Sequence, residues 1–455
     1  MSGYAKRPRR PNPAVHSGKK YDMPADKEDE SLKSYANAGY FDDDDDDDDD
    51  GDIPAVHRKA RPRSRVIYDD DDEYMSGKKK KENIFVRMLH AIFPTKGDGL
   101  GESVRKIVFD VAVVAFVITG GSVLYQVIDE ARNDKIIDPM VQGWYVDLEP
   151  GSSSGDTKAQ EAAIKEKIKG ELKMTDEDIA KVEAEKPGIQ ASFLKLYSEN
   201  SDVVVYIQLG SKDDPIVNIS QPVVKAADND YYLTHTYLKE EAQRGAIFAD
   251  YRNVFEPGRL SANTTLYGHN MWNGETMFAK LSRYYEPNGF SDPAEYKNDP
   301  LLFYKQHPTV TFNTIYENAE WKIFACVLFN TQEELGEVFP YLNYRDFPNE
   351  ATFNHFILEI MDRSVLWTDV DLTYGDEILT LSTCYYPYTK EKADTRCAVF
   401  ARRVREGESA EVDVSKAQRN PDPLRFAYEY QVKGGSWGGR KWDSSKLLSY
   451  NGTNG

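Results

Sequence analysis

Three residues in this chain have the types to do covalent chemistry on an acyl group: Cys384, His269 and Arg396. Cys384 closes the stretch Thr380-Leu381-Ser382-Thr383-Cys384, which follows the turn residues Gly375-Asp376 and the apolar start Ile378-Leu379. The alternation predicts a strand ending at the cysteine, with Leu379, Leu381 and Thr383 on one face and Thr380, Ser382 and Cys384 on the other. A strand end among small hydroxyl residues presents a nucleophile well; the plain alternative is a cysteine acting as a small buried hydrophobe. His269 follows a short apolar strand in Thr265-Leu266-Tyr267-Gly268-His269-Asn270-Met271. Arg396 opens the strand Thr395-Arg396-Cys397-Ala398-Val399-Phe400-Ala401, about a dozen residues after Cys384. The two strands read as arms of one hairpin with a long loop, which sets Arg396 near Cys384. A thiol needs a base or a cation to react as thiolate. The oxyanion of an acyl-transfer intermediate needs a donor, and a guanidinium supplies one. The plain alternative for Arg396 is a surface cation at a strand start, near the equally basic Arg402 and Arg403.

The wording TLSTC, with YGHN before it and TRCAVFA after it, resembles a class B sortase, and further stretches extend the likeness. Asn200-Ser201-Asp202-Val203-Val204 is similar to the opening of the sortase barrel. Gln221-Pro222-Val223-Val224 and Asp228-Asn229-Asp230-Tyr231-Tyr232-Leu233 are similar in kind to the PVVQ and DNxYYL region, and Gly245 to Asn253 to GxIFxDxRN. Thr276-Met277-Phe278-Ala279-Lys280-Leu281 resembles the TMFxxL that follows the histidine. The likeness runs from about Leu196 to Val404.

The resemblance implies a membrane-anchored cysteine transpeptidase of Gram-positive bacteria. Cys384 would attack the threonine carbonyl of a C-terminal sorting pentapeptide on a secreted protein. A peptidoglycan precursor or cross-bridge amine would then resolve the thioester, anchoring that protein in the cell wall. The same resemblance gives His269 the proton transfers and Arg396 the oxyanion, and offers Ser382, Asn229, Thr331 and Tyr341 as substrate contacts. It implies no cofactor. The residue after the cysteine is acidic in some relatives and is Tyr385 here. Polymerisation of pilin subunits, or a non-catalytic surface binding module with a structural Cys384, are the other functions in view. A papain-like hydrolase would start a helix at its cysteine and place the histidine downstream, the reverse of this chain.

The chain has 455 residues and a formal charge of −19. Residues 1–82 hold the acidic run Asp42 to Asp50, basic residues from Arg58 to Arg65, the acidic Asp69 to Glu73 and then Lys78 to Lys81. Such blocks bury no core, so a disordered cytoplasmic tail is expected, and the acidic runs disfavour nucleic acid as a partner. The juxtamembrane segment 83–106 includes Asn83 to Phe93, whose helical apolar spacing suits either a membrane surface or the start of a packed helix. Residues 107–128 are apolar and long enough for a single transmembrane helix. The segment begins past residue 100, so it should stay as an anchor rather than be cleaved. Arg87, Lys96, Arg105 and Lys106 precede it, while Asp129, Glu130, Asp134 and Asp138 follow. The cation bias puts the N-terminus in the cytoplasm and the catalytic domain outside the cell.

Residues 129–195 read as a linker, Gly/Ser-rich at Pro150 to Asp156, followed by one or two helices over Lys158 to Glu185 that form a stalk holding the catalytic domain off the membrane; the resemblance implies that part of it docks on the barrel. Residues 196–405 form the catalytic domain. Short strands are expected at Val203–Ile207, Ile216–Ile219, Ala246–Phe248, Thr264–Leu266, Val310–Phe312, Trp321–Val327, Ile378–Leu381 and Ala398–Ala401. That spacing predicts a mostly β fold, a closed or nearly closed barrel, and the resemblance implies the closed eight-stranded sortase type with peripheral helices. Ala351 to Ser364 has one apolar face and reads as a helix, a feature of class B sortases in this connection. Residues 406–455 read as a polar extension, with Gly434 to Gly439 and Asn451 to Gly455 as flexible tail and Arg425 to Tyr430 as one added strand. The three cysteines leave an odd thiol, and no Cys/His spacing resembles a zinc site. Cys326 and Cys397 fall in apolar strand patterns and should be core, with Cys397 pointing away from the Arg396 face.

Overall fold

The structure, a computed structural model, describes residues 92–95, 97–144, 157–210, 214, 216–217, 219–271, 277–286, 294–389 and 392–449. The charged runs of residues 1–82, most of the 83–93 segment and the Gly/Ser linker lie outside them. The first helix, α1, is Leu100–Trp144, and its stretch Leu100–Tyr125 is 26 residues of apolar character. At about 1.5 Å per residue this exceeds the roughly 30 Å of a bilayer's hydrocarbon core. Val111, Phe116, Ile118 and Leu124 are all exposed, as a lipid-facing surface would be and a soluble core helix would not. The apolar stretch begins seven residues before the expected 107, and the helix continues well past 128.

Two helices, α2 (Thr157–Leu172) and α3 (Asp176–Glu185), come next. A capping box starts α3: the Thr175 side chain accepts from the Asp178 amide, and the Asp178 carboxylate accepts from the Thr175 amide. Ile168, Met174, Ile179 and Val182 are buried in one cluster with Phe193, Leu194 and the barrel residues Val203, Val224 and Phe248. The helices therefore pack on the barrel. Their apolar positions are spaced to make one face each, and the barrel's outer surface is what covers that face.

Eight strands close the barrel: β1 (Val203–Leu209), β2 (Ile219–Val224), β3 (Ile247–Ala249), β4 (Asn263–Tyr267), β5 (Thr309–Thr314), β6 (Glu320–Asn330), β7 (Ile378–Cys384) and β8 (Thr395–Arg403). The order around it is β1-β2-β3-β4-β7-β8-β6-β5. The pairs β2/β3 and β4/β7 are parallel and the other six antiparallel. One expected strand is displaced. Ile216 and Val217 lie in the approach to β2, and the strand is built from Ile219 to Val224, across Pro222.

Alternation sorts the side chains of β7 and β8. Leu379, Leu381, Cys397 and Val399 join Val205, Ile207 and Leu266 in the main core cluster. Ala398 and Phe400 face the other way, beneath helix α4 (Glu350–Arg363), with its Phe353, Phe356, Ile357 and Ile360. The Asn349 side chain caps α4 by accepting from the Thr352 amide at 2.9 Å. Each fully buried Phe or Ile of this face contributes about 1.5–3 kcal/mol, enough to hold the helix across β6 and β8.

The C-terminal extension carries regular structure on both sides of Gly434 to Gly439, which has none. It forms a belt on the barrel unit. Gln418–Arg419 pairs antiparallel with Leu366–Trp367, and Leu447–Leu448 pairs parallel with Leu372–Thr373. Between them, Ala427–Lys433 is a helix, α5, where a strand was expected. Arg440 grips the buried Asp362 of α4 at 2.6–3.0 Å, and Trp442 is buried in the α4 cluster. Arg402 is fully buried, not a surface cation, and both its terminal nitrogens donate to Glu408 at 2.7 Å.

Candidate active site

Strand register brings Cys384 and Arg396 onto neighbouring strands and leaves His269 two residues past the end of the next. Cys384 on β7 pairs directly with Arg396 on β8, so their side chains share a face. On the other side β7 runs parallel to β4, in the register Leu381↔Leu266 and Ser382↔Tyr267. The Gly268 amide donates to the Ser382 carbonyl at 3.3 Å, and the Thr383 hydroxyl donates to the Gly268 carbonyl at 2.7 Å. Continuing that register two steps, past the end of β4, sets His269 level with Cys384. The turn is fixed by packing: a Cβ on Gly268 would lie 2.8 Å from the Phe278 ring, so only glycine lets that ring close over the strand end. The Phe278 amide then donates to the His269 carbonyl at 2.9 Å. Asn270 donates to the Cys384 carbonyl at 2.8 Å, tying the histidine segment to the cysteine's own backbone.

His269 Nε2 lies 2.9 Å from the Leu233 carbonyl. A carbonyl only accepts, so in the neutral ring Nε2 carries the hydrogen and Nδ1 is the basic nitrogen. Burial lowers the His269 pKa, against a smaller opposing effect of the Leu233 hydrogen bond. Cys384 is partly buried. Arg396 is 4% exposed. Burial works against its charge, but the Cys384 sulfur and the Asp394 carboxylate outweigh that and hold it protonated, above the usual guanidinium range. Burial, then the neighbouring Cys384 sulfur, also keeps the Tyr386 phenol in its neutral form.

Ser382 lies on the same strand face as Cys384, and its hydroxyl is 2.8 Å from the Tyr341 hydroxyl. Tyr341 stacks on Phe329 at 4.1 Å, and burial, opposed by the Ser382 bond, pushes its pKa up to about 12. Thr331 is exposed at the end of β6 and donates to the Asp394 carboxylate and carbonyl, both at 2.9 Å. Asn229 is 1% exposed. Its oxygen accepts from the Tyr251 amide at 3.0 Å and its nitrogen faces Asp250, which also binds Arg252 and the Tyr267 hydroxyl. Thus Ser382 and Tyr341 touch each other beside the cysteine, Thr331 reaches the arginine's partner, and Asn229 sits in a buried network behind Tyr267.

Sequence reasoning missed Asp394 and Tyr386. Both lie in the β7–β8 loop, and their only signal was closeness in sequence to Arg396 and Cys384. Tyr385 turns away from the site and packs edge-on against Tyr285, ring centroids 6.0 Å apart. Cys326 and Cys397 are buried free thiols with sulfurs 3.7 Å apart in the barrel interior, remote in role from Cys384. Among the described residues no group of three or more His, Cys, Asp or Glu is placed to hold a metal ion.

The closed barrel thus carries a cysteine and an arginine paired across one hairpin, and a histidine just past the end of the adjoining parallel strand. The family model of the sortase domain matches residues 215–404. Over this region the chain is similar to class B sortases. Sortase B of Listeria monocytogenes is 35% identical over 166 residues, 36% of this chain and 58% of that protein. Sortase B of Staphylococcus aureus is 28% identical over 204 residues, 44% of this chain and 71% of that protein. The solved Staphylococcus aureus sortase B–substrate complex superposes with a TM-score of 0.38 at 27% identity, covering 54% of this chain and 97% of that one. The match thus spans little more than half the length of the Listeria relative.

Proposed function

We propose that the chain is a sortase transpeptidase whose nucleophile is Cys384. The observation that carries this is the Cys384–Arg396 pair across β7 and β8, with His269 two residues past the end of the adjoining β4. The Cys384 thiol gives its proton to His269 Nδ1 as its sulfur attacks the threonine carbonyl of a sorting pentapeptide, and the carbonyl oxygen becomes an oxyanion facing the Arg396 guanidinium. The carbon–nitrogen bond breaks, His269 delivers a proton to the leaving amine, and a thioester remains on Cys384. An amine of the peptidoglycan then attacks the thioester, a proton returns to His269, and the new amide releases the enzyme. The neutral phenol of Tyr386, beside the sulfur, is a further donor in reach of the developing charge.

Helix α1 anchors this domain in the cell membrane as a single pass, with residues before it cytoplasmic and the barrel outside. The support is its exposed apolar surface and the cation bias before it. Protease added outside intact cells is expected to remove the segment after Asp129 and spare the aspartate run; the reverse pattern contradicts the orientation.

The chemistry is tested with the detergent-solubilised chain and a library of sorting pentapeptides. Mass spectrometry should find an acyl adduct on Cys384, released by added amines. A screen of diaminopimelate, glycine peptides and lysine side chains separates wall anchoring from pilin polymerisation. No adduct with any peptide, while iodoacetamide still labels Cys384, would refute the transpeptidase reading in favour of a binding module.

A further inference from the structure

We propose that Asp394 is a positioning residue that sets the plane of the Arg396 guanidinium against Cys384, and that the ends of β6 and β8 are stitched together to hold it there. The proposal rests on the transpeptidase reading above.

An arginine side chain has four rotatable bonds and about 2 kcal/mol of rotamer entropy. One contact leaves its fork free to swing; two contacts through different nitrogens fix the plane. Arg396 Nη1 donates to Asp394 Oδ1 at 2.6 Å, and Nη2 donates to Oδ2 at 3.3 Å. Nη1 also donates to the Thr395 carbonyl at 3.0 Å. Asp394 is itself pinned on every side that the chain can reach. The Thr331 hydroxyl donates to Oδ2 and to the Asp394 carbonyl, both at 2.9 Å. The Thr331 amide donates to the same carbonyl at 3.2 Å, and the Asp394 amide donates to Gln332 Oε1 at 2.9 Å. The carboxylate thus has a fixed address, and the guanidinium inherits it.

Charge argues for orientation as the purpose. A carboxylate on the guanidinium offsets the positive charge that attracts a thiolate or an oxyanion. If charge alone were wanted at Cys384, Asp394 would work against it. What the carboxylate adds is direction, and a misplacement of about 1 Å costs on the order of 100-fold in rate.

Three variants of the full chain separate direction from charge, read by turnover of a peptide selected in the library screen and by the rate of Cys384 alkylation with iodoacetamide at pH 7. Asp394→Ala removes both; kcat is expected to fall about 10- to 100-fold with KM changed less than about threefold, while alkylation quickens. Asp394→Asn keeps an acceptor oxygen and loses the charge; kcat should stay within about fivefold of wild type while alkylation again quickens. Asp394→Glu keeps the charge and displaces the fork by one methylene; kcat should fall about tenfold or more with alkylation unchanged. An ion pair that merely stabilises the hairpin predicts losses that follow the melting temperature and leave alkylation alone. Full turnover in the Glu variant, or equal damage in Asn and Ala, overturns the proposal. If Asp394→Ala does not fold, the Asn and Glu pair decides alone. Wild type forming no thioester sinks the transpeptidase reading instead, a result that the alkylation rates do not depend on.

Discussion

Replacing Arg396 with lysine tests mechanism against bare charge. The guanidinium uses Nη1 for Asp394 at 2.6 Å and for the Thr395 carbonyl at 3.0 Å, and Nη2 for Asp394 at 3.3 Å. Lysine keeps the positive charge but carries it on one nitrogen. Held by Asp394, that nitrogen cannot also stand where a second donor meets the oxyanion. Losing one oxyanion donor costs about 2.7–4 kcal/mol, or roughly 100- to 1,000-fold in turnover. Single-turnover thioester formation should fall by that factor, with circular dichroism unchanged and KM little moved. Arg402 is no control for this experiment, because it is fully buried on Glu408. Arg259→Lys is, since that side chain is 68% exposed and its ion pair among the described residues is with Glu256, 58% exposed. Comparable turnover in Arg396→Lys and Arg259→Lys would refute the oxyanion role and leave a backbone amide as the donor.

Cys384→Ala should abolish thioester formation, whereas Cys326→Ala and Cys397→Ala should retain it, as judged by mass spectrometry of the acyl adduct. Glu408→Gln leaves the buried Arg402 with Asp371 at 3.4 Å as its remaining acid. Breaking a buried pair costs about 3–5 kcal/mol. With Asp371 still present, about 2–3 kcal/mol is expected, a melting point roughly 5–10 °C lower, and a shift under 1 °C would contradict it. Burial holds the pKa of both His269 and His307 below the ordinary 6.5, with weaker opposing effects from Leu233 and Asp214. The unfolded chain therefore takes up these protons first as pH falls. Stability from these rings is complete above about pH 6.5 and is lost as pH falls below it, so the melting temperature should decline between pH 7.5 and 5.5. His269→Asn with His307→Asn should flatten that decline.

The barrel was legible because its strands alternate, and alternation survives any change of neighbour. Leu379, Leu381 and Thr383 had to share a face whatever paired with them, and the inner cluster holds both leucines. The hairpin that sets Arg396 on Cys384 followed from the loop length alone. The belt was not legible, since Gln418–Arg419 and Leu447–Leu448 are two-residue strands too short to carry a period. Arg425 to Tyr430 alternated like a strand, yet its residues from Ala427 on became helix α5. There Tyr285 donates to the buried Glu429 at 2.9 Å, a partner 144 positions away that no local pattern reveals. Arg402 looked like surface for the same reason: its carboxylates lie in loops, and a charge shows no sign of burial until its partner is placed. Asp394 hid in plain sight as a polar loop residue, because its meaning depends on where Thr331 arrives.

The belt also bears on how the molecule is made. Synthesis runs from the N-terminus, so β8 leaves the ribosome well before Leu447 and Leu448. At about 5–20 residues per second the barrel has its last strand for several seconds before its belt exists. During that interval Leu372 and Thr373 present an unpaired edge, and Asp362 waits in α4 without Arg440. Newly made copies thus share a brief, half-dressed state whose open edge invites pairing with one another. A tag fused after Ser449 would extend chain straight from the strand that ends this exposure, whereas a tag ahead of α1 would leave the finishing step untouched.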